Sequence, residues 1–220
     1  MAIISACWAI ISGIGAWKRE FLGKRRIELA EEILSYFFEV KDAIAEIRNP
    51  FSRSNEGQSR KKGKNETADE SKLLDMAYVV VERYERRKDV FNRFNTLKYR
   101  CMAAFGHESE EIFIECNKIL SSIFVAAKLL GTHYWKRQGR VKMTEDEFKR
   151  HLTEMHKYEA IFWDTMNEDD EIRKRLQKVQ RNIEEITKPC FEEPSTLYSM
   201  LTTKISKFFR NQKQTQAQSK

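Results

Sequence analysis

Helix breakers are scarce in this chain: 3 prolines and 8 glycines among 220 residues, with 33% of all residues charged. That profile suits long helices and argues against a turn-rich β fold. No stretch sustains apolar-polar alternation beside turn residues, so essentially no sheet is expected. The 4 cysteines (Cys7, Cys101, Cys116 and Cys190) are widely spaced and form no CxxC pair. A disulfide framework and a zinc site are both disfavoured, and reduced thiols are the simplest reading.

Chemistry-bearing motifs are missing too. A di-iron bundle needs Glu-x-x-His pairs, which place two ligands on one helix face. The residues three before His107, His133, His151 and His156 are Ala104, Leu130, Phe148 and Thr153. His151 and His156 are five apart and diverge around a helix, so all four histidines read as surface or half-buried side chains. There is no GxxxxGK[ST] loop, no GxGxxG turn, no GxSxG and no HExxH. Cys101 and Cys116 lie on apolar faces, where cysteine behaves as a small hydrophobe. No catalytic, cofactor-binding or metal-ligating residue is assigned, and a protein that is not an enzyme is expected.

The sharpest local absence is charge. Met1 to Trp17 carries none, and Lys18, Arg19, Lys24, Arg25 and Arg26 come directly after. A spanning helix needs about 17 to 25 apolar residues, so this run sits at the short end. Trp8 and Trp17 suit a membrane interface. A signal peptide would need basic residues before the run, not after it. A soluble helix buried in a bundle or an oligomer is the bland alternative. The basic flank favours a single-pass anchor over 1–22 in the inner membrane, N-terminus out, with the remainder cytoplasmic.

The chain beyond this run is helical by periodicity. Ile27, Ala30, Leu34, Phe37, Ile44 and Ile47 share one face of a helix from Lys24 to Arg48 that ends before Pro50. Residues 51–66 lack periodicity and read as a flexible basic loop. A second helix is expected from about Thr67 to Phe105 with a 4-3 apolar stripe, interrupted by Arg87 and Lys98. A third, the most apolar of the soluble part, begins at Ser109 and is interrupted at Gly131. Thr144 with Glu147 is a capping box for a fourth helix, which the acidic stretch 167–171 kinks or breaks before a second stripe that ends at Pro189. A short amphipathic helix within 190–210 and a disordered tail over 211–220 complete the reading. The expected fold is all-α: an N-terminal apolar helix and an antiparallel bundle of long helices over 24–189.

The net charge of +7 comes from 40 basic and 33 acidic side chains, mixed along the helices. The local excess, beyond the residues after Trp17, lies at Arg60, Lys61, Lys62 and Lys64. Tyr134, Trp135, Lys136 and Arg137, with Arg140 nearby, form an aromatic and cationic cluster at a helix end. Both clusters are candidates for a partner or anion contact. The segments 15–34, 47–52, 78–100, 131–140 and 151–163, including WKRE, RNPFS and THYWKRQGR, resemble a widespread bacterial family of hypothetical proteins. That resemblance implies a bacterial source and a helical architecture, and it carries over no activity, cofactor or site residue.

Three functions are compatible with these features. The leading one is a membrane-tethered scaffold that contacts a protein partner or itself. The second is a soluble basic bundle that binds nucleic acid, and the third is a membrane-active effector that oligomerises through its N-terminal helix.

Overall fold

The computed structural model describes residues 2–53 and 55–192, the side chains of 2–13, 16 and 19 excepted. The side chains of Trp8 and Arg19, the expected amphipathic helix beyond residue 192 and the tail over 211–220 lie outside the described residues. The elements are α1 (Ala2–Ile47), α2 (Ala68–Thr96), α3 (Lys98–Phe105), a 3-10 turn (His107–Ser109) and α4 (Glu110–Leu129). Beyond α4 come a π-turn (Leu130–Tyr134), α5 (Trp135–Arg137), α6 (Glu145–Phe162) and α7 (Glu171–Phe191). The described residues contain no strand, so the protein is all-α.

Four long helices close a ring, in which α1 packs on α2, α2 on α4, α4 on α7, and α7 back on α1. Helix α6 lies outside the ring against α4. The core is what the apolar stripes predict: Ile33, Phe37, Ile44 and Ile47 of α1 meet Val80, Phe91 and Phe94 of α2. Ile112, Ile119 and Ile123 of α4 and Ile172, Val179 and Ile183 of α7 complete it. Removing such side chains from water is the main favourable contribution to folding, roughly 2 kcal/mol for each one fully buried.

The helix starts are set locally. Thr67 Oγ1 accepts from the Glu70 amide at 3.2 Å while Glu70 accepts from the Thr67 amide at 3.1 Å. Thr144 and Glu147 form the same reciprocal pair at the start of α6. Asp170 caps α7 by accepting from the Arg173 amide at 2.9 Å. Each cap satisfies an amide that a helix start leaves unpaired.

Several expectations are corrected. No helix among the described residues is long and apolar enough to cross a membrane, so the expected span over 1–22 is not found. The uncharged run forms the start of α1, which passes Gly23 without leaving the helix. Helix α1 therefore starts at Ala2, not Lys24. The expected second helix is divided at Leu97, with no proline or glycine to mark the break. Gly131 does not interrupt the helical chain but widens it into the π-turn. Pro189 falls inside the last turn of α7, which ends at Phe191.

Loop 51–66 is held by specific bonds. The Gly57 amide donates to Glu82 at 2.7 Å. Gly57 has φ +83°, and a Cβ there would stand 1.9 Å from the Asp75 carbonyl oxygen, so only glycine lets the loop lie against α2. Buried Arg83 donates to the carbonyls of Asn49 and Phe51 at 2.6 and 2.9 Å and pairs with Glu56 at 2.6 Å. It thereby satisfies backbone groups just past the end of α1.

Candidate membrane interface

Burial along α1 begins late. Leu29 is the first deeply buried side chain among those described, whereas Ile14, Trp17, Phe21 and Leu22 are all exposed, Trp17 at 66%. The bundle therefore covers the C-terminal half of the helix. Trp17 and Phe21, one turn apart, stack at 5.7 Å between ring centroids. One turn further on, the Arg25 guanidinium lies 4.9 Å from the Phe21 ring. The three form a column that passes from the uncharged run to the charged part of the helix, apolar at one end and cationic at the other.

The cations beside that column divide into unpaired ones and ones committed to the bundle. Among the described residues, Lys18, Lys24 and Arg25 have no carboxylate within ion-pair distance, although Glu20 and Glu28 are close in sequence. Arg26 is committed to structure: its Nε donates to the Ala104 carbonyl at 3.0 Å, which ties α1 to the end of α3. Arg100 pairs with Glu32 at 3.0 Å. Together Leu22, Arg25, Arg26, Leu29 and Arg100, with Ala103 and Ala104, line a groove of about 450 Å³ between α1 and α3. Apolar floor and guanidinium rim occur together at the point where α1 leaves the bundle. Arg100 had no sequence signal for this place, because α3 brings it there.

The other expected contact residues are distributed differently. Arg60 lies between Glu66 at 2.6 Å and Asp75 at 3.0 Å, and Lys62 reaches Asp75 at 3.8 Å. Hydrogen bonding from Arg60 holds the Glu66 carboxyl down at about 2. Lys61 and Lys64 stay exposed without an ion pair among the described residues, and of the four expected cations only Arg60 is withdrawn between carboxylates. In the helix-end cluster, Trp135 is buried and its indole donates to Glu159 at 2.8 Å. Lys136 and Arg140 reach back to Glu70 and Asp69 at the start of α2, at 2.7 and 3.6 Å. The Lys136 hydrogen bond, then the Thr67 amide, lower the Glu70 pKa. Tyr134 is half-buried, and Arg137 has no ion pair among the described residues.

Burial pushes the Cys101 and Cys116 thiols up to about 12, which keeps them protonated and inert. No group of three or more metal-binding side chains occurs among the described residues. In comparison with known proteins, the chain matches no family model, no curated protein and no solved structure.

Proposed function

We propose that this protein is a membrane-associated, non-enzymatic helical scaffold. The N-terminal half of α1 enters a lipid bilayer, and the bundle sits at the surface as a platform for a protein partner or a second copy. The observation that carries this reading is the emergence of α1 from the bundle with Ile14, Trp17, Phe21 and Leu22 exposed. The unpaired Lys18, Lys24 and Arg25 beside them match an anionic headgroup layer, where each basic residue contributes about 1 kcal/mol. At 1.5 Å per residue, the 17 uncharged residues reach roughly 25 Å, against a hydrocarbon core of roughly 30 Å. Insertion therefore draws on Lys18 and its neighbours extending toward the headgroups. The positive-inside rule places the bundle on the cytoplasmic side of an inner membrane.

The test is fractionation of cells that produce the full chain and a chain lacking 2–17, which leaves Leu29 and the buried residues after it in place. The full chain should require detergent for extraction, and the shortened one should be soluble. A full chain that stays soluble without detergent, as a stable oligomer, would instead assign the exposed column to self-association.

A further inference from the structure

A second site lies on the far side of α4 from α1, where the π-turn meets α6. The π-turn matters because its wider helical winding changes which residues face α6, and such turns occur frequently at functional sites. It is held in place by contact: a Cβ on Gly131 would stand 2.6 Å from the Ala77 side chain, so the turn lies directly against α2. His133 and Tyr134 consequently face a cleft of about 360 Å³, lined also by Arg137, Lys142, Arg150 and His151. That volume lies in the range of small-molecule sites.

The cleft gathers cations that no carboxylate among the described residues neutralises, whereas Arg48, Arg60, Arg83, Arg86, Arg173 and Arg175 are each paired. Arg137, Lys142 and Arg150 have no ion pair among the described residues, although they converge from α5, the loop after it and α6. Arg137 Nη1 donates to His133 Nε2 at 3.2 Å, which leaves His133 Nδ1 to carry a proton and donate. His151 is 8% exposed and packs at a tilt against Tyr134, with ring centroids 5.5 Å apart. Its Nε2 is buried without a hydrogen-bond partner, an unsatisfied group that costs free energy unless something completes it.

Two carboxylates share the cleft, and they differ in role. Glu147 is committed to the start of α6, accepting from the Thr144 amide and hydroxyl. Glu154 makes no ion pair among the described residues. It lines the same cleft one turn after Arg150 on α6, where it would accept from a hydroxyl and repel a second anion.

We propose that this cleft binds a phosphomonoester, with the phosphate held by Arg137, Arg150 and Lys142 and a hydroxyl of the ligand body on Glu154. Guanidinium forks match phosphate oxygens in geometry and charge. The His133 Nδ1–H adds a further donor. The site is separate from the exposed half of α1, so it does not depend on membrane association. The phosphate could arrive on a soluble metabolite-like molecule or on a lipid headgroup.

Calorimetric titration of the full chain tests this, in mild detergent with inorganic phosphate and glycerol 3-phosphate as soluble probes, and after detergent removal with phosphatidate vesicles as the lipid probe. Glycerol 3-phosphate should bind more tightly than inorganic phosphate. Either Arg137→Gln or Arg150→Gln should weaken it by at least about tenfold. Glu154→Gln should erase the preference for the glycerol ester over inorganic phosphate, a readout that a merely structural role would not move. Lys178→Gln, an exposed cation on α7, should change nothing. Binding to vesicles alone, lost in the Arg137→Gln chain, would keep the phosphomonoester chemistry and assign a lipid source. Absence of binding by all three probes, or an equal loss in the Lys178→Gln chain, would overturn the proposal. Circular dichroism of each variant shows that the helices are intact.

Discussion

Arg48, just past the end of α1, and Asp170, at the start of α7, bind one another through two hydrogen bonds of 2.9 and 2.8 Å, both side chains almost fully withdrawn from water. The same guanidinium donates to the carbonyls of Ala160, Ile161 and Trp163 at the end of α6. One side chain thus joins the ends of three helices. Its guanidinium nitrogens all find acceptors, which is what makes a buried ion pair tolerable.

Removing one partner leaves the other charged and buried. Arg48→Met should destabilise the bundle by about 3–5 kcal/mol, a fall in melting temperature on the order of 10 °C for a chain of this size. Thermal denaturation followed by circular dichroism measures it. A fall of only a degree or two would mean that water reaches Asp170.

The acid limb of stability arises from the same carboxylate and from Glu56. Burial alone would raise the Asp170 pKa, but the hydrogen bonds from Arg48 and the Arg173 amide outweigh it and hold the group at about 2. Hydrogen bonding from Arg83 does the same for Glu56, also to about 2. Both folded-state values lie below the unfolded ones, near 4. Their contribution is therefore complete above about pH 4.5 and is lost as pH falls toward 2, because the unfolded chain takes up protons first. Urea midpoints measured from pH 6 to pH 2 should fall most steeply between about 4.5 and 2. Asp170→Asn should flatten that limb.

Close contact at the π-turn gives a paired prediction. Gly131→Ala places a methyl group 2.6 Å from the Ala77 side chain and should cost about 1–3 kcal/mol. Adding Ala77→Gly makes room. The double variant should then recover the overpacking cost, less about 1 kcal/mol for a glycine inside α2. Additive losses in urea denaturation would show that the two sites do not touch.

If α1 enters lipid, Trp17→Glu and Phe21→Glu should each weaken partition into vesicles, as read by co-sedimentation. Binding to anionic vesicles should also weaken as salt screens Lys18, Lys24 and Arg25. Equal binding to neutral and anionic vesicles would remove the cationic collar from the proposal.

The elements with local causes were legible in the sequence. The Thr144–Glu147 box did open α6, and the stripes through Phe37, Phe94, Ile119 and Ile183 did become core. Features that depend on distant partners were not legible. Arg87 and Lys98 interrupt an apolar stripe, and only the packing assigns them Glu46 and Glu110. Arg48 looks like an ordinary basic residue at a helix end until Asp170 is placed against it. His151, read as a surface or half-buried side chain, is buried, with Tyr134 of the π-turn packed against it. Leu97 breaks a helix without proline or glycine, so no sequence marker existed.

Helix α1 also makes the chain a mechanical linkage. It runs uninterrupted for 46 residues, roughly 70 Å at 1.5 Å per residue. Its far end is clamped by Arg48 and Arg83 to α6, α7 and the loop after α1. A helix is stiff along its axis, so a push, tilt or twist applied near Ile14 has no hinge in which to dissipate. It is met first where the bundle grips the helix, at Arg26 and Leu29, and the exposed half is the lever arm.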